Sequence, residues 1–130
     1  MKLKLITLHV DDQDKALHFY TAILGLVKKA DVKNGPYRWL TVVSSEEPMG
    51  AELQLALNNN PAAKAYQEAL YSQGQPALML FTEDIRADYD RLKGRGAEFK
   101  LSPKDVTGST IAQLEDTCGN IIQLTQLKKW

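Results

Sequence analysis

Between residues 3 and 10 the apolar side chains Ile6, Leu8 and Val10 alternate with Thr7 and His9, the period-two pattern of a strand with one apolar face. Asp11 or Asp12 then caps a helix in which Ala16, Leu17, Tyr20, Ile23 and Leu24 recur at helical spacing, with Gly25 as its stop. Composition predicts three more strands, about Val27 to Lys33, Tyr37 to Ser44 and Ala51 to Leu57, separated by turns at Asn34-Gly35-Pro36 and Glu47-Pro48-Met49-Gly50. Asn60-Pro61 opens a second helix, because Asn caps well and Pro tolerates the first helical position; it carries Tyr66 and Leu70 as far as Gly74.

The second half repeats the first. Leu5-Ile-Thr-Leu-His-Val-Asp-Asp12 is matched by Ala77-Leu-Met-Leu-Phe-Thr-Glu-Asp84, an apolar strand running into an acidic cap both times. The following helix carries Ile85, Tyr89 and Leu92 on one face and stops at Gly96, as the first stops at Gly25. Gly50-Ala-Glu-Leu-Gln-Leu55 lies over Gly119-Asn-Ile-Ile-Gln-Leu124, so Gln54 and Gln123 are equivalent, and strands near Glu98 to Leu101 and Ser109 to Glu115 complete the copy. The reading is one α+β domain of two βαβββ modules: module 1 at about 1–58, a connector helix at about 61–74, and module 2 at about 75–127.

Composition narrows the classes of function. In 130 residues, 16 basic side chains balance 16 acidic ones, which removes the bulk electrostatic pull toward nucleic acid or an anionic membrane. No apolar run reaches the roughly 18 residues a membrane span needs, and Met1-Lys-Leu-Lys-Leu-Ile-Thr-Leu-His turns polar too soon for a signal peptide, so the expectation is a cytoplasmic protein. The single cysteine, Cys118, has no intrachain disulfide partner and is read as a turn residue. Trp130 is read as a frayed end or a dimer contact.

The order and spacing of Val10-Asp-Asp12, Ala16-Leu-His-Phe-Tyr20, Leu24-Gly25-Leu26, Glu83-Asp-Ile85, Arg91-Leu92, Gly96 and Asp116-Thr-Cys-Gly-Asn-Ile-Ile-Gln-Leu124 resemble the glyoxalase, bleomycin-resistance and extradiol-dioxygenase (vicinal oxygen chelate) superfamily over nearly the whole chain. The resemblance implies an open, roughly eight-stranded barrel-like sheet with helices outside, a cavity within, and a homodimer. It also implies where metal-using relatives place their ligands, which here are Leu5, Ala77, Gln54 and Gln123. Leucine and alanine have no lone pair to offer, and two neutral amides do not replace imidazole or carboxylate. The expectation is therefore no metal and no other cofactor. Sliding the fourth strand by two residues would bring Glu52 to a ligand place, still as a single strong donor.

Alternation from these positions turns Thr7 and His9, Glu52 and Gln54, Met79 and Phe81, and Gln123 inward, and Trp39 is a candidate for stacking. The ligand-binding candidates are thus Thr7, His9, Trp39, Glu52, Gln54, Met79, Phe81 and Gln123. Each has a plain structural alternative: a structural strand histidine, a surface carboxylate at a strand start where Glu52 could otherwise pair with a cation or with Arg38, glutamines filling space, an aromatic packed in the core. Apolar surface with a few polar groups suits a small organic ligand, neutral or weakly cationic. The leading reading is a metal-independent small-molecule binding protein. The second is a glyoxalase-like lyase, isomerase or dioxygenase with a divergent site, in which His9 or Glu52 would act as acid or base.

Overall fold

The computed structural model describes residues 1–128; Trp130 lies outside the described residues. In chain order the elements are β1 (Leu5–Val10), α1 (Gln13–His18) continued by a π-helical turn (Phe19–Ile23), β2 (Val27–Asn34), β3 (Tyr37–Val43), β4 (Glu52–Leu57), α2 (Pro61–Ser72), β5 (Leu78–Phe81), α3 (Ile85–Gly94), β6 (Phe99–Val106), β7 (Ser109–Glu115) and β8 (Ile121–Leu127). This is the α+β fold of two βαβββ modules. Each module has its own sheet. The strands form two four-stranded sheets, ordered β1-β4-β3-β2 and β5-β8-β7-β6, each with a parallel pair at β1–β4 or β5–β8 and antiparallel pairs elsewhere. The chain divides into two compact units, Met1–Tyr66 and the residues from Gln67 onward.

In the first unit, Leu8, Val10, Leu40, Val42, Leu53 and Leu55 are buried on one sheet face, as are Ala16, Phe19, Tyr20 and Leu24 of the helical segment, and α1 packs on β4. Two members of the apolar set, Ile6 and Leu57, stand at strand ends and remain 46% and 40% exposed. Asp12 caps α1 by accepting from the Lys15 amide at 3.0 Å. The expected single helix to Leu24 widens after His18, where the Leu24 amide bonds the Phe19 carbonyl at 2.8 Å. The wider turn brings neighbours closer in angle, which lets both Phe19 and Tyr20 enter the core as an edge-to-face pair 5.0 Å apart. Gly25, at φ 94°, then ends the segment.

Two side chains tie the helical layer to the sheet. The Gln13 amide donates to the Arg38 and Leu55 carbonyls at 3.2 and 2.9 Å, bridging β3 and β4. Arg38 forms a fork on Asp31, with Nε and the second terminal nitrogen at 2.8 and 2.9 Å, and reaches Asp14 of α1 at 2.6 Å. The guanidinium holds the Asp31 carboxyl below the usual carboxylate range, and the two carboxylates raise the Arg38 pKa. A carboxyl whose pKa is depressed on folding stabilises the fold above its unfolded value of about 4 and loses that contribution as pH falls through the folded value. Acid unfolding followed by circular dichroism should therefore show a steeper loss below about pH 4 in the native chain than in R38M, where Asp31 has lost its partner.

The second unit buries Ala112, Leu114, Ile122 and Leu124 of its sheet with Ile85 and Leu92 of α3, which packs on β6, β7 and β8. Strand β6 runs on to Val106, beyond the expected end at Leu101, because its second half pairs with the start of β7 through Lys104↔Ile111 and Val106↔Ser109. The turn before β8 is organised by Asp116, which is fully buried. One carboxylate oxygen accepts from the Cys118 and Asn120 amides at 2.7 and 3.0 Å, and the other accepts from the Asn120 side chain at 2.7 Å. Cys118 is indeed a turn residue, and its own burial is complete. Gln67 of α2 donates to the Cys118 carbonyl and to Asn120 Oδ1 at 3.1 and 3.2 Å. Gly119 takes φ 97°, and a Cβ there would stand 2.8 Å from Gln67 Nε2, so the position needs glycine on both counts.

Candidate functional site

Pairing in the first sheet sets Thr7 opposite Gln54, His9 opposite Ala56, Leu5 opposite Glu52, and Gln54 opposite Thr41. Paired residues share a face, and alternate residues along each strand join them. One face of this sheet therefore carries Leu5, Thr7 and His9 from β1, Glu52, Gln54 and Ala56 from β4, and Tyr37, Trp39, Thr41 and Val43 from β3. All five candidates of the first unit, Thr7, His9, Trp39, Glu52 and Gln54, lie on it. The neighbouring residue Leu40 is fully buried on the helix side, which leaves Trp39 to the other face, half-buried.

A polar band crosses this face. Thr7 Oγ1 donates to Gln54 Oε1 at 2.9 Å, and Gln54 Nε2 approaches Tyr37 Oη at 3.5 Å. Thr41 Oγ1 donates to Glu52 Oε1 at 2.8 Å, while Glu52 Oε2 lies 3.7 Å from Lys29 Nζ. Glu52 thus pairs with Lys29 and not with Arg38, the partner weighed from sequence, because Arg38 belongs to the opposite face and is taken by Asp31 and Asp14. On the same face His9 stands opposite the small Ala56, and Leu5 opposite Glu52. The hydrogen-bonded ladder joining β3 and β4 runs through Thr41↔Gln54 and Val42↔Leu53.

The candidates of the second unit share a face of the second sheet in the same way. Met79 stands opposite Gln123, and Phe81 opposite Thr125. Gln123 Oε1 accepts from Gln113 Nε2 at 3.0 Å, and its own amide donates to Thr125 Oγ1 at 3.2 Å with Met79 Sδ at 3.9 Å. Met79 and Phe81 are 51% and 64% exposed.

Each module places one hydrocarbon and one amide where metal-using relatives are expected to hold their ligands: Leu5 with Gln54, and Ala77 with Gln123. The hydrocarbon side chains donate nothing, and each amide oxygen already accepts a hydrogen bond within its own sheet. Glu52 is a single carboxylate engaged by Thr41 and Lys29. Among the described residues no group of three or more His, Cys, Asp or Glu could hold a metal ion. This donor set does not fit a divalent cation. Sequence reasoning missed Thr41 and Lys29, although Thr41 shares the parity of Trp39 and Lys29 that of Val27 on their strands.

The paired modules and this face are those of the Glyoxalase/Bleomycin resistance protein/Dioxygenase superfamily, which residues 2–124 match, and the chain belongs to it. It is 47% identical over 126 residues to the uncharacterized protein YurT of Bacillus subtilis, covering 97% of this chain and 99% of that one. The probable lactoylglutathione lyase of Vibrio cholerae is 29% identical over 128 residues, with 94% of this chain and 88% of the relative covered. Among solved structures, TnmS3, an antibiotic binding protein from Streptomyces sp. CB03234, superposes with a TM-score of 0.79 at 29% identity, covering 98% of this chain and 97% of its own. Among the described residues no helix is long and apolar enough to cross a membrane.

Proposed function

We propose that this chain is a metal-independent binding protein for a small, planar, uncharged organic molecule, taken up on the face of the first sheet. The observation that carries this reading is the Gln54 amide, held between Thr7 and Tyr37 where a metal-using relative is expected to place a carboxylate. An amide in that position neither coordinates a cation strongly nor moves a proton near neutral pH, whereas it can exchange its hydrogen bonds with those of a ligand. Trp39 and Leu5 supply apolar surface on this face, and the polar band supplies orientation, the usual composition of a small-molecule site. The likeness to TnmS3, an antibiotic binding protein, supports the same class of role. Met79, Phe81 and Leu127, exposed on the second unit, fit the homodimer that the family resemblance implies, which light scattering would read as twice the chain mass.

The test is a thermal-denaturation series with hydroxymethylanthracene, a neutral three-ring probe. A ligand that binds the folded state raises the unfolding midpoint in proportion to the logarithm of its concentration, and that rise is the expected result. The likeness to a probable lactoylglutathione lyase supports an enzymatic reading as the second possibility. Turnover of a lyase substrate that disappears on His9→Ala would establish it in place of the binding role.

A further inference from the structure

Strands β2 and β3 pair in plain antiparallel register at Val27↔Val43 and Lys28↔Val42, and again from Ala30↔Thr41 to Asn34↔Tyr37. One residue of β2, Lys29, is therefore extra, a β-bulge. In an unbroken strand Lys29 and Asp31, two residues apart, would share a face. The bulge separates them. Asp31 now pairs with Leu40 and turns to the helix side, where Arg38 holds it, while Lys29 stays on the ligand face with Val27. From there its ammonium reaches across β3 to Glu52 on β4, 3.7 Å away. Bulges commonly re-aim side chains beside binding sites, and this one removes a negative charge from the face while leaving the positive charge of Lys29 on it.

The consequence concerns charge. Glu52 is the carboxylate of the polar band, with 23% of its side chain exposed and the Thr41 hydroxyl as its side-chain hydrogen-bond donor among the described residues; left alone it would draw cations to the face. Lys29 cancels that charge. We propose that Lys29 is the residue that sets the charge of the ligand: by neutralising Glu52, it makes this face select uncharged planar molecules against cations. The inference rests on the binding role proposed for the same face, and it revises the sequence expectation of a neutral or weakly cationic ligand to a neutral one.

Three probes of matched size test it: hydroxymethylanthracene, neutral; aminoacridinium, cationic; and anthracenecarboxylate, anionic. Fluorescence titrations of the full chain should rank the neutral probe first. In K29M the cation should tighten about tenfold and the anion weaken, since the freed carboxylate sits in the reduced dielectric of a half-buried face. E52Q should shift both charged probes the opposite way. The K29E/E52K double variant should return the native ranking, which guards against a change caused by damage to β2; K29Q serves if the apolar methionine makes this edge strand associate. A native chain that takes up none of the probes contradicts the binding role and this inference together. A native chain that binds hydroxymethylanthracene, with charge preference unmoved in both K29M and E52Q, contradicts the inference alone.

Discussion

The D116A variant should lose about 3 to 5 kcal/mol of folding stability, since two backbone amides and one side-chain amide would be left without their acceptor in a fully buried turn. Against a total of about 5 to 15 kcal/mol for a domain, that is a large share, and it corresponds to a fall of about 15 °C in Tm. The damage should spread to α2, because Gln67 bonds both the Cys118 carbonyl and the Asn120 side chain that Asp116 orients. Asp116→Asn should fall between native and alanine: one side-chain oxygen still accepts, but the second position becomes a donor facing the Asn120 donor. Thermal unfolding of the three proteins by calorimetry checks the order.

The second large effect concerns binding. W39A should weaken hydroxymethylanthracene about 30-fold, about 2 kcal/mol, because truncation removes the largest ring on this face. Folding stability should change much less, since Trp39 is only half-buried and Leu40, its neighbour, carries the core contact. W39F should keep most of the affinity, and Leu40→Ala should do the reverse of W39A, lowering stability while leaving the face in place. Loss of binding in W39A that merely follows loss of fold would place Trp39 in the core and not at a site.

Much of this was legible in the sequence for a simple reason: period-two and helical patterns record which side of an element faces a core. Leu8, Val10, Leu53 and Leu55 set the register of β1 and β4, and through it the common face of Thr7, His9, Glu52 and Gln54. The repeat did the same for Met79, Phe81 and Gln123. What escaped depends on local departures from periodicity. The bulge at Lys29 flips the parity of β2 beyond it, so no alternation rule carried from Val27 places Asp31 on the face of Arg38. The π-turn at Phe19–Ile23 serves two adjacent aromatics that a regular helix would point apart. Nothing in the sequence sets Gln67 apart from the other polar residues of α2, yet it is buried, and its amide completes a turn some fifty residues along the chain. The repeat and the family resemblance also implied one four-stranded sheet per module, and the strands pair in that way.

Ligand uptake without a metal is tested by the Kd of hydroxymethylanthracene for chelator-stripped protein, repeated after loading with nickel, zinc, manganese or ferrous iron. With Gln54 and Gln123 already hydrogen bonded and Leu5 and Ala77 inert, the same affinity is expected in every sample, with no stoichiometric metal retained in elemental mass spectrometry. Binding or turnover that appears only after loading, with one metal per site lost on mutating Glu52 or Gln123, would contradict the account and restore a metal-dependent lyase or dioxygenase.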